Sequence, residues 1–300
     1  MIQATFGQRL DRWILRNGFA VSMPLMALRL IEARRALAQG VGLVSVSARG
    51  AANELIPSDL GYKAFGPELF PDTPELIRSC QAIFEAHQSE LFDTDTFNKK
   101  YFFNIASVED LKNHPVLMAY AMSKQMMEII SGYLPNPRLN SIGVYYSEVN
   151  DSVAGSQLFH VDGDCLKQMK CFVNVWGVDE GTGPFTFIPA SVTNRTLRNR
   201  GLIKDLSDND VDRETDAVPY IRATGPAGSG VFCDTSSCLH QGSRARERPR
   251  LVFMIQFVSR PDALLDRKSE GRKKGGHIMV NRDLLKLLKI HDPDSLQIVE

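Results

Sequence analysis

No stretch of the sequence approaches the roughly 18 consecutive apolar residues that a membrane-spanning helix needs, so none is expected. Cysteine is sparse and odd in number, five in 300 residues, which excludes a disulfide-stapled secreted scaffold. Charge of one sign is missing too. Thirty-five Lys and Arg balance 35 Asp and Glu, leaving no general excess to hold a nucleic-acid backbone. The opening residues lack the basic, then apolar, then small-residue order of a secretory signal. No internal repeat is present. These absences describe a protein of the cytoplasm, with neither nucleic acid nor stable membrane insertion among its expected partners. At 300 residues and 43% hydrophobic, the chain has the apolar content for a full core without metal or disulfide staples. Length alone allows about two domains; one elaborated domain fits the patterning better.

The first fifty residues are locally basic, with Arg9, Arg12, Arg16, Arg29, Arg34, Arg35 and Arg49 against Asp11 and Glu32. They read as a solvated basic helix flanking the core. Residues 74–92 read as a helix with Leu76, Ile77, Cys80, Ile83 and Phe84 on one side. Residues 110–133 read as a second, ending before Pro135. Its methionines, Met118, Met122, Met126 and Met127, suit core filling.

After Pro137 the pattern changes to short β-branched and aromatic runs separated by Gly, Pro, Asn and Asp. They span 141–149, 157–161, 169–178, 185–189, 230–233 and 251–258, which together indicate a sandwich or barrel. The stretch 193–228 is acidic and lacks a clear period, as expected of a lid, a substrate loop or a disordered insert. Five cations, Arg267, Lys268, Arg272, Lys273 and Lys274, mark a solvated loop near the end. The expected organisation is a mostly helical flank over 1–137, a β core over 138–262 carrying the 193–228 insert, and a C-terminal extension over 263–300.

The chemistry concentrates at Leu158-Phe159-His160-Val161-Asp162. On a strand, residues two apart project to the same face, so His160 and Asp162 converge. An imidazole beside a carboxylate can supply two ligands to one divalent metal. A further histidine, His240, follows 80 residues later, and Arg250 opens the apolar run Leu251–Phe257. Two histidines and a carboxylate on one face leave three metal positions open, the arrangement of non-haem Fe(II) oxygenases. A guanidinium can grip a carboxylate through two parallel hydrogen bonds. Cys233, Cys238 and His240 lack a paired fourth ligand for structural zinc. Asp164 reads as a turn residue.

With these residues in order, the sequence resembles the Fe(II)/2-oxoglutarate-dependent dioxygenases, and among them the phytanoyl-CoA dioxygenase-like family. The resemblance covers about residues 139–260. It rests on Val144–Asn150, His160-Val161-Asp162, the Gly183-Pro184-Phe185-Thr186-Phe187-Ile188-Pro189 string, His240 and Arg250. It implies a mainly β fold with flanking helices around a double-stranded β-helix (jelly-roll, cupin-like) core. It further implies Fe(II) on His160, Asp162 and His240, with 2-oxoglutarate and O2 as cosubstrates. Arg250 would clamp the distal carboxylate, with Arg248 second in line. Asn174 and Tyr146 stand where relatives place cosubstrate or substrate contacts, and Asn174 and Trp176 should share a face of their strand. The implied activity is hydroxylation or another C–H oxidation of a small organic molecule, with succinate and CO2 as coproducts. Two other readings stay open: a silent jelly-roll binding module, and an oxygenase of protein side chains.

Overall fold

From Pro137 onward the chain alternates between two antiparallel sheets. The computed structural model describes residues 55–91, 101–134, 137–162, 167–194, 205–259, 276–280 and 282–290. The basic N-terminal segment, Asp164 and the cationic run at 267–274 lie outside the described residues.

The elements are β1 (Tyr62–Phe65), α1 (Thr73–Leu91), β2 (Phe103–Asn104), α2 (Val108–Asn113), α3 (Val116–Ala121) and α4 (Lys124–Tyr133). There follow β3 (Pro137–Ser147), β4 (Gln168–Asn174), β5 (Thr186–Phe187), α5 (Asp208–Thr215) and β6 (Ile221–Arg222). The last are β7 (Gly230–Cys233), β8 (His240–Gln241), β9 (Arg250–Ser259), β10 (Ile278–Met279) and α6 (Arg282–Leu287). The large sheet runs β1-β7-β4-β9-β3-β10, with β2 also on β3, and the small sheet runs β6-β5-β8. A bridge from His160 to His240 adds the 158–160 segment beside β8. In chain order the visits are large, small, large, small, small, large, small, large. That winding is a double-stranded β-helix, as expected.

The central strands of the large sheet, β4 and β9, read apolar on both sides because both faces are covered. Odd residues of β4 and β9, such as Met169, Cys171, Val173, Phe253, Ile255 and Phe257, pack with Leu76, Ile83, Leu117 and Ile130 of the helices. Even residues, Phe172, Val252 and Met254, turn inward to Phe185 and Phe187 of the small sheet. Strand alternation therefore splits one sequence run between an outer helical core and the interior where the site lies.

The helix expected over 110–133 is three helices. Pro115 has no N–H to donate and disfavours helical backbone at the residue before it; His114 duly sits at φ −123°, ψ 70°. Ser123 leaves the helical region at ψ 147° and caps α4 by accepting from the Met126 N–H. The described part of the 193–228 insert is ordered structure. Leu206 pairs with Phe159, α5 is closed by a Ser207–Asp210 capping box, and β6 joins β5. Phe159, Val161, Ile188, Leu206, Val211 and Leu239 bury one another beneath it.

Candidate metal centre

His160 and His240 are cross-strand partners, each N–H donating 2.9 Å to the other's carbonyl. This register alone brings two residues 80 apart in sequence face to face, with ring centroids 4.3 Å apart. Each ring is held by its own chain two residues back. His160 Nδ1 lies 2.8 Å from the Leu158 carbonyl and His240 Nδ1 lies 3.0 Å from that of Cys238. A carbonyl only accepts, so both Nδ1 atoms carry the proton and both Nε2 lone pairs face the interior. Asp162 is anchored through its N–H to the Thr235 carbonyl at 2.8 Å. Its Oδ1 is 3.7 Å from His160 Nε2 and its Oδ2 is 3.7 Å from His240 Nε2. The three ligand atoms lie within 4.8 Å of one another, close enough to share one cation. Among the described residues, this is the group of His, Cys and acidic side chains so arranged. Among the described residues the cysteines play no part in this group: Cys80, Cys171, Cys233 and Cys238 are free and buried.

The electrostatics suit ligation. Burial works against the Asp162 charge, but Lys170, His240 and His160 outweigh it and hold the carboxyl well below the usual range. Burial, reinforced by His160, pulls His240 down to about 3, so it is neutral and ligand-ready in the folded protein.

Arg250 is 3% exposed at the start of β9. Its Nη2 donates to Ser243 Oγ at 3.1 Å, while its Nε has no partner among the described residues. Directly across the sheet is Ser147, whose buried hydroxyl is also unpartnered. The guanidinium sits 5.8 Å from the Phe102 ring, which stacks on Tyr145 at 4.6 Å. Burial lowers Arg250 to about 10, still charged at neutral pH. The other arginines are engaged elsewhere, although Arg244 Nη2 is also buried without a partner among the described residues. Arg248 pairs with Asp179 on the surface, Arg246 reaches the Asn150 carbonyl, and Arg244 grips Asp208 through two 2.8 Å bonds.

Two expectations need correction. Tyr146 faces outward: it packs on Phe84, Phe103 and Trp176 and donates 2.8 Å to Glu148. The even positions of β3 point to the helices, and its neighbour Tyr145 is the one that turns inward. Asn174 and Trp176 do not share a face, because β4 ends at Asn174 and alternation stops there. Trp176 joins the helical side against Phe84. Asn174 lies on the inner side of β4, and its amide donates to Ser229 Oγ at 3.1 Å. The sequence reading missed Lys170, Gln168, Ser147 and Ser243. Lys170 had a signal: it is the one charged residue in the run Met169–Val178.

Gly183 serves the site indirectly. Its φ of +69° belongs to the left-handed region, and an added Cβ would lie 2.4 Å from Ala245 N and Arg244 C. Only glycine lets the 244–245 backbone approach the turn before β5.

No family model matches the chain, and no curated protein matches it. Solved structures of similar shape include the non-heme alpha ketoglutarate dependent epimerase SnoN from nogalamycin biosynthesis, at 15% identity over 86% of this chain and 96% of that one, TM-score 0.43. EctD from S. alaskensis with bound Fe is similar at 12% identity over 73% and 84%, TM-score 0.49. HygX from Streptomyces hygroscopicus with nickel and 2-oxoglutarate bound is similar at 14% identity over 74% and 94%, TM-score 0.43.

Proposed function

We propose that the protein is an Fe(II)- and 2-oxoglutarate-dependent oxygenase of a small organic substrate. The observation that carries this reading is one interior lined by two complementary devices. The first is the His160–Asp162–His240 set with both Nε2 atoms free. The second is the buried Arg250 guanidinium with an unpartnered Nε, opposite the unpartnered Ser147 hydroxyl. An orphaned buried donor is costly to leave unmade, and a carboxylate satisfies both groups at once. The residues therefore fit the metal and the dicarboxylate alike.

His160, His240 and Asp162 would hold the metal, and Arg250 with Ser147 and Ser243 would bind the distal carboxylate of 2-oxoglutarate. Bound there, the pair supplies oxygen activation coupled to decarboxylation of the cosubstrate to succinate and CO2. The chain's own part is to bind, orient and keep water out. Phe102, Tyr145, Phe172 and Phe185 form apolar walls, which strengthen every charge interaction they enclose. Retention of Asp162 favours C–H hydroxylation or a related oxidation.

Anaerobic addition of Fe(II) and 2-oxoglutarate tests the reading. The visible charge-transfer band of the chelate should appear in the wild-type protein and be absent from His160→Ala. Metal binding with no band and no succinate release under air would indicate a silent binding module instead.

A further inference from the structure

The second oxygen of Asp162 is occupied by the protein. Oδ2 lies 2.7 Å from Lys170 Nζ and accepts from Gln168 Nε2 at 3.1 Å. Gln168 cannot turn freely. Its amide also donates to Thr235 Oγ1 at 2.9 Å, and its Oε1 accepts from Gln256 Nε2 at 2.9 Å. Gln256 Oε1 in turn accepts from Asn140 Nδ2 at 2.8 Å and Ser141 Oγ at 3.1 Å. A row of buried amides thus runs from β3 through β9 to β4 and ends on the carboxylate. Rotating any member orphans another.

Lys170 adds something the amides do not, a full positive charge. It stands in a central strand, opposite Cys233 of β7 and Gln256 of β9, and its side chain is 14% exposed. An ammonium there repels a divalent cation and attracts an anion. With both imidazoles neutral, a divalent metal, the carboxylate and the ammonium leave two positive charges around the metal. A chelating dicarboxylate cancels them. Without the ammonium, the metal, Asp162 and the chelator alone sum to one negative charge in a part-buried place, which is costly.

We propose that Lys170 sets the charge of the centre: with Gln168 it takes Asp162 Oδ2, presenting Oδ1 to the metal, and it lowers metal affinity while raising affinity for anions that join the metal. This inference rests on the metal site proposed above. Its signature is a pair of changes of opposite sign, which a merely structural residue does not produce.

The test uses the full-length protein, Co(II), and oxalate, a short chelator that does not depend on Arg250. Lys170→Met should bind Co(II) at least about tenfold more tightly and bind oxalate on the Co(II) form at least about tenfold more weakly, the well-solvated end of the scale for a unit charge a few ångströms away. Lys170→Arg should restore both values to within about threefold, because it keeps the charge. Gln168→Leu should weaken Co(II) and leave oxalate affinity on the metal form unchanged. A folded Lys170→Met that loses both affinities together, or keeps wild-type oxalate affinity, overturns the proposal. Wild-type protein that binds Co(II) and oxalate but not 2-oxoglutarate overturns the cosubstrate reading alone and leaves the Lys170 comparison intact. Absence of metal binding by wild-type protein overturns both.

Discussion

Asp162 shows at the scale of one residue why the choice of substitution matters. Its carboxylate faces both imidazoles and the Lys170 ammonium, so removing it takes away a ligand and strands a buried cation. Asp162→Ala should lose metal binding and also about 3–5 kcal/mol of stability. Asp162→Asn should lose most metal affinity at a much smaller stability cost, because its amide oxygen still accepts from Lys170. Urea unfolding of the two variants beside a Co(II) titration separates these effects; equal stabilities would show that Lys170 is not held by this pair. The arginines offer a parallel contrast. Arg250→Ala should raise the 2-oxoglutarate concentration for half-saturation by about 30–1000-fold, the scale of a buried charge-assisted pair. Arg248→Ala, in an exposed pair with Asp179, should change stability by under about 1 kcal/mol and leave 2-oxoglutarate binding unaltered. The reverse result would reassign the clamp. The grouping of both histidines with Asp162 was legible in the sequence because residue type and order carry their chemistry, while Arg250 as clamp is part of the proposal. The Tyr146 error came from parity. Adjacent tyrosines occupy opposite faces, and which face is inside depends on the helices covering the sheet, not on the strand itself.

Elements were legible in proportion to their length. β9, expected over 251–258, spans Arg250–Ser259, and the expected helix 74–92 is α1 at Thr73–Leu91. The small sheet was harder, since β5, β6 and β8 have two residues each and too few positions to show a period. Their existence depends on pairing with distant segments, which no local pattern encodes. The insert likewise reads as irregular because α5 is short and acidic, and only Val211 and Thr215 of it are buried. What fastens it is tertiary: Arg244 donates from Nε to the Gln157 carbonyl at 2.7 Å and from Nη1 to both oxygens of Asp208. That guanidinium ties α5 to the turn preceding His160. Arg244→Met should therefore loosen the insert without unfolding the sheets. Amide exchange across 206–215 should accelerate by about tenfold, a loss of about 1–2 kcal/mol for a part-buried ionic hydrogen bond, while β9 exchanges at its wild-type rate. Uniform acceleration throughout the chain would mean that Arg244 supports the whole fold.

For the whole molecule, zero formal net charge makes global repulsion a weak source of pH dependence near neutrality, and a buried metal ligand becomes a leading one. Folded His240 titrates near 3, pulled down first by burial and then by His160, whereas an unfolded histidine titrates near 6.5. Between those values the unfolded chain binds a proton that the folded chain refuses, so stability rises with pH. The contribution is fully present above about pH 6.5 and is lost as pH falls toward 3. Asp162 acts in the same direction but lower: its carboxyl is held below the usual range, so its share is lost only under about pH 4. A window from pH 6.5 to 4.5 thus separates the imidazole from Asp162, and the buried Asp234, whose carboxyl burial raises, acts in the opposite direction. Metal-free protein should lose about 2 kcal/mol from this group across that window, read as a fall in the urea midpoint. His240→Asn, which has no proton to refuse, should show that much less decline. Saturating Co(II) should steepen the wild-type decline, because ligation is confined to the folded state and is itself weakened by acid. A metal-free His240→Asn variant that declines as steeply as the wild type would mean that His240 is protonated in the folded state, and so is not held as a neutral ligand.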